Sequence, residues 1–223
     1  MCGRFTLTID PGDLREAFPD LTVPDNLNPR YNIAPTQPVA VVPNTGEHKL
    51  DFFIWGLIPS WSKDPTIGSR LINARSETLL EKPSFRSQFH RRRCLILADG
   101  FFEWQVQPNT KAKRPFYIYL KDHKPFAFAG LWDIWMSPDG SEVRSCTIIT
   151  TEPNEFMQPI HNRMPVILPT EAYSEWLDPS NTKAEELSRW LVPYPSEAMS
   201  LHPVSRVVNS PDNDTPDCIQ PSL

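Results

Sequence analysis

The chain has 223 residues, 39% hydrophobic and 11% aromatic, enough to bury a sizeable core as one domain, and a formal net charge of −5 that argues weakly against a nucleic-acid partner. No run of about 18 apolar residues occurs, and Asp10, Asp13, Glu16, Asp20 and Asp25 fall where a secretory leader needs an apolar stretch, so a soluble, cytoplasmic protein is expected. The four cysteines, Cys2, Cys94, Cys146 and Cys218, form no CxxC pattern, which points away from a disulfide framework or a zinc site and fits a reducing compartment.

From the N-terminus, CGRFTLTI alternates like a strand, and PGDLREAF predicts a short helix with Pro11 in its first turn. Next come QPVAVV, KLDFFIW, RCLILADGFFEW, RPFYIYL, PFAFAGLW, RSCTIIT and MPVIL. All are β-branched or aromatic runs bounded by Pro, Gly, Asn or Asp, and they read as strands. Helical patterns are fewer: SETLLE, TEAYSEWL and TKAEELSRWL. The expected fold is α+β, a single domain over residues 1–223 built on a mostly antiparallel, barrel-like sheet with a few short helices. Residues 209–223, NSPDNDTPDCIQPSL, are expected to form a loose tail.

Charge is unevenly spread. Residues 171–223 hold nine acids and three bases, which leaves eighteen acids and nineteen bases in residues 1–170. Arg70, Arg75, Lys82, Arg86, Arg91, Arg92 and Arg93 cluster against only Glu77 and Glu81, so a local basic face is compatible with overall acidity. A solvated arginine turn is the other meaning of RRR.

Initiator methionine is commonly trimmed before a residue as small as Cys, which would leave Cys2 as the N-terminus. An α-amine of pKa about 8 and a thiol of pKa about 8.5 would then sit on adjacent carbons. Such a 1,2-aminothiol reacts with an aldehyde: the amine condenses to a Schiff base, and the thiol closes a thiazolidine ring on the imine carbon. The bland alternative is that Cys2 is merely a small residue that permits trimming. In LINARSETL, Asn73, Arg75 and Glu77 alternate, a spacing that sends strand side chains to one face. In ADGFFEW, Glu103 stands among Phe101, Phe102 and Trp104, where burial raises a carboxyl pKa and suits it to proton transfer; a salt bridge to an arginine is the alternative. In IHNRMPVIL, His161 and Arg163 precede a strand in a polar turn, where the histidine is either structural or within reach of a site.

MCGR, RYNIAPTQ, FIWGLIPSW, LINARSET, ADGFFEW, IITTEPN, HNRMP and HPVSRVVN, in this order over nearly the whole chain, resemble the SRAP family of SOS-response-associated peptidases, also called abasic-site processing proteins. The resemblance implies a covalent crosslink between Cys2 and the ring-opened aldehyde of an abasic site in single-stranded DNA, with lyase chemistry as a side path. It implies that Asn73 orients the amine of Cys2, that Glu103 is the acid/base carboxylate and that His161 is the catalytic histidine. Arg4, Arg75 and Arg163 match phosphate-gripping arginines, Thr150 a threonine near the lesion, and Pro35 with Trp61 a wedge against flanking bases. Where members often carry two adjacent tryptophans, this chain has Ser60-Trp61. No metal or organic cofactor and no membrane is implied, and a monomer is expected. Two other classes stay open: a thiol peptidase or self-processing hydrolase using Cys2 and His161, and a non-catalytic DNA-binding module.

Overall fold

A computed structural model describes residues 2–108, 110 and 112–222; Met1, whose removal the sequence suggests, lies outside the described residues. In chain order the elements are β1 (Phe5–Leu7), α1 (Pro11–Ala17), β2 (Arg30–Ile33), β3 (Pro38–Pro43), β4 (Asp51–Trp55), β5 (Asn73–Arg75), α2 (Arg86–Arg91), β6 (Arg93–Ala98) and β7 (Gly100–Val106). There follow β8 (Lys113–Leu120), β9 (Phe126–Met136), β10 (Glu142–Thr151), β11 (Met164–Pro165), β12 (Ile167–Leu168), α3 (Tyr173–Leu177), α4 (Ala184–Ser188) and β13 (Met199–Pro203). Short 3₁₀ turns fill several connections. The expected mostly β single domain with few short helices is observed.

The strands form two units. β10, β4, β3, β6 and β9 are paired in that order, and β9 pairs back onto β10, which closes a five-stranded barrel. Closure removes free edges. The β10–β4 pair is parallel, and β5 runs parallel to β10 beyond it, so the barrel is mixed rather than purely antiparallel. The second unit is an antiparallel sheet in the order β13-β8-β7-β1-β2.

RCLILADGFFEW, which reads as one strand, is two strands in different units, separated by Asp99. The corner is held by the Asp99 carboxylate, which accepts from the Thr6 hydroxyl, from Thr8 N at 2.6 Å and from Thr8 Oγ1 at 2.5 Å. Gly100 is required there by close approach: a Cβ at this position would lie 2.3 Å from the Tyr117 ring. The inner face of the second sheet packs on the barrel through Phe5, whose ring meets Trp55 of β4 at 5.1 Å and Phe128 of β9 at 5.7 Å. The two units thus share one core, with aromatic rings at their junction.

Two expectations are corrected. The expected 209–223 tail is not loose over its described residues, 209–222: Asp214 pairs with Arg30 and accepts from the backbone of Tyr31 at 2.5 Å and Asn32 at 2.9 Å. Cys218 is fully buried with Phe102, Tyr117, Val204 and Val208 in a second apolar cluster on the other face of the sheet. A polar composition does not predict looseness when a few apolar side chains find a groove. Nor is RRR a solvated turn or a uniform basic face. Arg93 is fully buried and donates to five carbonyls, those of Phe89, His90, Trp176, Asp178 and Asn181. Arg92 pairs with the buried carboxylate of Asp133, and of the three only Arg91 is exposed.

Candidate active site

Cys2 lies three residues before β1, and the backbone between them continues the β1–β7 ladder: Phe102 N donates to Arg4 O at 3.0 Å. This register carries the N-terminal residues alongside Glu103. Cys2 is fully buried, its thiol facing the Arg4 carbonyl at 3.8 Å. Burial pushes the thiol pKa up, and the nearby negative charge of Glu103 pushes it further. Glu103 itself is only 3% exposed, and burial raises its carboxyl above the ordinary glutamate value. The strand position among aromatics gives the carboxylate the environment its sequence context suggests.

Asn73 reaches Cys2 from the start of β5. Its Nδ2 donates to the Cys2 carbonyl oxygen at 2.9 Å, so it fixes the backbone of Cys2 from the carbonyl side. Its Oδ1 is buried and has no hydrogen-bond partner among the described residues, leaving an acceptor in the site. The parallel β5–β10 register sets Asn73 opposite Ile148 and Arg75 opposite Thr150. Arg75 is exposed, whereas Thr150 is fully buried.

His161 ends a turn that Asn154 caps by accepting from Met157 N at 2.8 Å. Gln105 of β7 ties this turn to the second sheet by donating from Nε2 to Pro159 O at 3.0 Å. Arg163 N donates to His161 Nδ1 at 3.0 Å, and burial lowers the imidazole pKa below the ordinary histidine value. The Lys113 ammonium acts on both Glu103 and His161, in each case as a lesser influence than burial.

The arginines matched to phosphate binding differ in their surroundings. Arg75 is exposed, with no salt bridge among the described residues. Arg4 donates to Asn32 Oδ1 at 2.8 Å, Val208 O at 2.7 Å and Asn209 O at 3.1 Å, so most of its fork is spent joining the N-terminal segment to the C-terminal one. Arg163 makes a bidentate pair with Glu77, at 2.6 and 2.9 Å, and donates to Thr150 O at 2.7 Å.

Trp61 is 58% exposed on the loop after β4. Its neighbours are anchored: Ser60 N donates to Asp133 Oδ2 at 2.8 Å, and Trp135 Nε1 donates to Ser62 O at 2.7 Å. Pro35 is partly buried in the turn after β2, where Thr36 adopts a left-handed φ of 70° and donates to Trp55 O at 2.8 Å. Sequence reasoning missed Asn32, Asp133 and Lys113. The alternation in RYNI was the available signal for Asn32; Asp133 and Lys113 carry none in sequence.

The family model described as SOS response associated peptidase (SRAP) matches residues 1–211. The chain belongs to this family. It is 48% identical to the abasic site processing protein YoqW of Bacillus subtilis (strain 168), with 99% of each chain covered, and 46% identical to YoaM of the same organism, with 96% of each covered. It is also similar to HMCES of Xenopus tropicalis, an abasic site processing protein, at 34% identity over 98% of this chain and 78% of that one. A solved protein from Bacteroides thetaiotaomicron superposes with a TM-score of 0.88 at 29% identity, each chain fully covered. The SRAP fold therefore accounts for the barrel and its accompanying sheet.

Proposed function

We propose that this SRAP protein processes abasic sites in single-stranded DNA by forming a covalent thiazolidine crosslink through Cys2 after Met1 is removed. The observation that carries the proposal is the seating of Cys2 between Asn73, which holds its carbonyl, and Glu103, whose charge acts on its thiol. Relatives that align over nearly all of this chain are named for abasic site processing, which supplies the substrate class.

The chemistry follows from these groups. The α-amine of Cys2 attacks the C1′ aldehyde of the open sugar, and the carbinolamine loses water to give an imine. The thiol then adds across C=N: its sulfur bonds to C1′, its proton passes to nitrogen, and one water is released overall. A carboxyl with a raised pKa suits this sequence, protonating the departing hydroxyl and then, as carboxylate, taking the thiol proton. A cationic imine beside Cys2 offsets the effects that hold the thiol protonated. The Nε2–H of neutral His161 serves as a donor to the sugar hydroxyls, and Arg75 holds a flanking phosphate. Positioning by such contacts contributes up to roughly 7–11 kcal/mol in favourable intramolecular reactions.

The electrostatics weigh against a thiol hydrolase. Such an enzyme needs thiolate beside imidazolium, whereas here the thiol pKa is raised and that of His161 lowered. Comparing Cys2→Ala with the parent chain on abasic single-stranded DNA tests the proposal. The variant is expected to lose the denaturation-stable adduct while keeping a Schiff base that borohydride traps. A stable adduct in unchanged yield from Cys2→Ala would overturn it.

A further inference from the structure

The Arg163 guanidinium is already engaged by an anion of this chain. Glu77 Oε1 and Oε2 accept from its two terminal nitrogens at 2.6 and 2.9 Å, the end-on bidentate geometry with which arginine also grips phosphate. We propose that Glu77 is an internal counter-anion seated in the fork of Arg163, and that a phosphate of single-stranded DNA displaces it on binding. The inference rests on reading single-stranded DNA as the ligand.

The two partners are unequally held. The Arg163 side chain is 14% exposed and has a second anchor in Thr150 O at 2.7 Å, while its backbone N–H is fixed on His161 Nδ1. The Glu77 side chain is 50% exposed and sits on a three-residue 3₁₀ turn, Ser76–Thr78. Glu77 is therefore the partner that swings away, and Arg163 stays in place when it does. The hydrogen bonds from Arg163 hold the Glu77 carboxyl below its ordinary pKa, so it is ionised at neutral pH. Half-exposed pairs of this kind are weakly held and screened by salt. A DNA phosphate competes on equal geometric terms and comes with a second contact, since Arg75 stands opposite Thr150 in the β5–β10 register and Arg163 bonds that same residue. Glu77 thereby neutralises the fork of Arg163 toward stray anions and favours a chain of phosphates, which meets both arginines together.

Titrating fluorescent single-stranded DNA without a lesion at several salt concentrations tests this, with Glu77→Gln, Arg163→Ala, the double variant and Glu81→Gln as a control for general loss of negative charge. Glu77→Gln is expected to tighten binding roughly two- to fivefold over the Glu81→Gln control. That gain should vanish in the Arg163→Ala background. A gain of the same size without Arg163, or no gain or weaker binding in Glu77→Gln, overturns the displacement and makes the pair a strut. No binding of single-stranded DNA by the parent chain instead overturns the reading of the ligand itself.

Discussion

The backbone N–H of Arg163 donates to Nδ1 of His161 at 3.0 Å, which fixes the tautomer of the histidine. A backbone N–H can only donate, so Nδ1 is the acceptor and neutral His161 carries its proton on Nε2. Burial lowers the imidazole pKa, so this neutral form prevails through the neutral range. Nitrogen NMR is expected to show Nε2 protonated and Nδ1 bare, with protonation only below the ordinary histidine range. Its sign for stability follows: a depressed folded pKa means the contribution is full above about pH 6.5 and fades as pH falls through the folded value. A His161 that titrates above 6.5 contradicts the geometry.

Glu103→Gln separates stability from chemistry. Because burial raises the folded carboxyl pKa, the native state holds its proton where the unfolded chain has released it, and stability falls as pH rises from about 4.3 through the folded value. Glutamine removes that buried charge, so the variant is expected to gain about 1 kcal/mol at pH 7 to 8 and to show a flatter pH dependence. Crosslinking on abasic DNA should slow by about 10² or more. Urea unfolding at several pH values, paired with single-turnover crosslinking, decides both. A variant less stable than the parent with unchanged rate makes Glu103 a structural carboxylate.

Arg4 and Arg75 should respond oppositely. Arg4→Ala leaves Asn32 Oδ1 and Asn209 O without their donor, and Val208 O with only the longer bond from Asn32 Nδ2 at 3.2 Å, at a cost of about 2 kcal/mol. Exposed Arg75→Ala should leave stability within about 0.5 kcal/mol. It should instead weaken single-stranded DNA binding and lower the salt slope by about 0.7. Thermal unfolding and salt-dependent titration of the two variants check this, and an unchanged salt slope in Arg75→Ala removes Arg75 from the DNA face.

Arg93→Lys keeps the charge of the RRR run but supplies three donors where five carbonyls now accept. A loss of about 2–3 kcal/mol is expected in urea unfolding, against less than about 0.5 for Arg91→Ala. Equal effects at the two positions would contradict the buried role of Arg93.

These residues mark where the sequence was legible. Long apolar runs such as FAFAGLW and RSCTIIT announce β9 and β10 because their burial is continuous along the strand. β2, β5 and β13 are short and half-polar, and they become strands only because a neighbour offers an edge. The break of RCLILADGFFEW at Asp99 depends on Thr6 and Thr8, which are distant in sequence. α2 lacks a side-chain cap and begins without the usual signals. At the site, Cys2, Asn73, Glu103 and His161 were readable as residue types in motifs. The pairing of Arg163 with Glu77 and of Arg4 with Asn32 was not, because motif spacing records which residues are present and not which of them bond one another.

The central claim is a covalent bond between the aminothiol of Cys2 and an abasic aldehyde. Intact mass of the purified protein, before and after incubation with abasic single-stranded DNA under denaturing conditions, tests it most directly. The account predicts a protein lacking Met1 and an adduct whose mass is protein plus DNA less one water. A chain that retains Met1 yet forms the same stable adduct, or a trimmed chain that forms none, would contradict it.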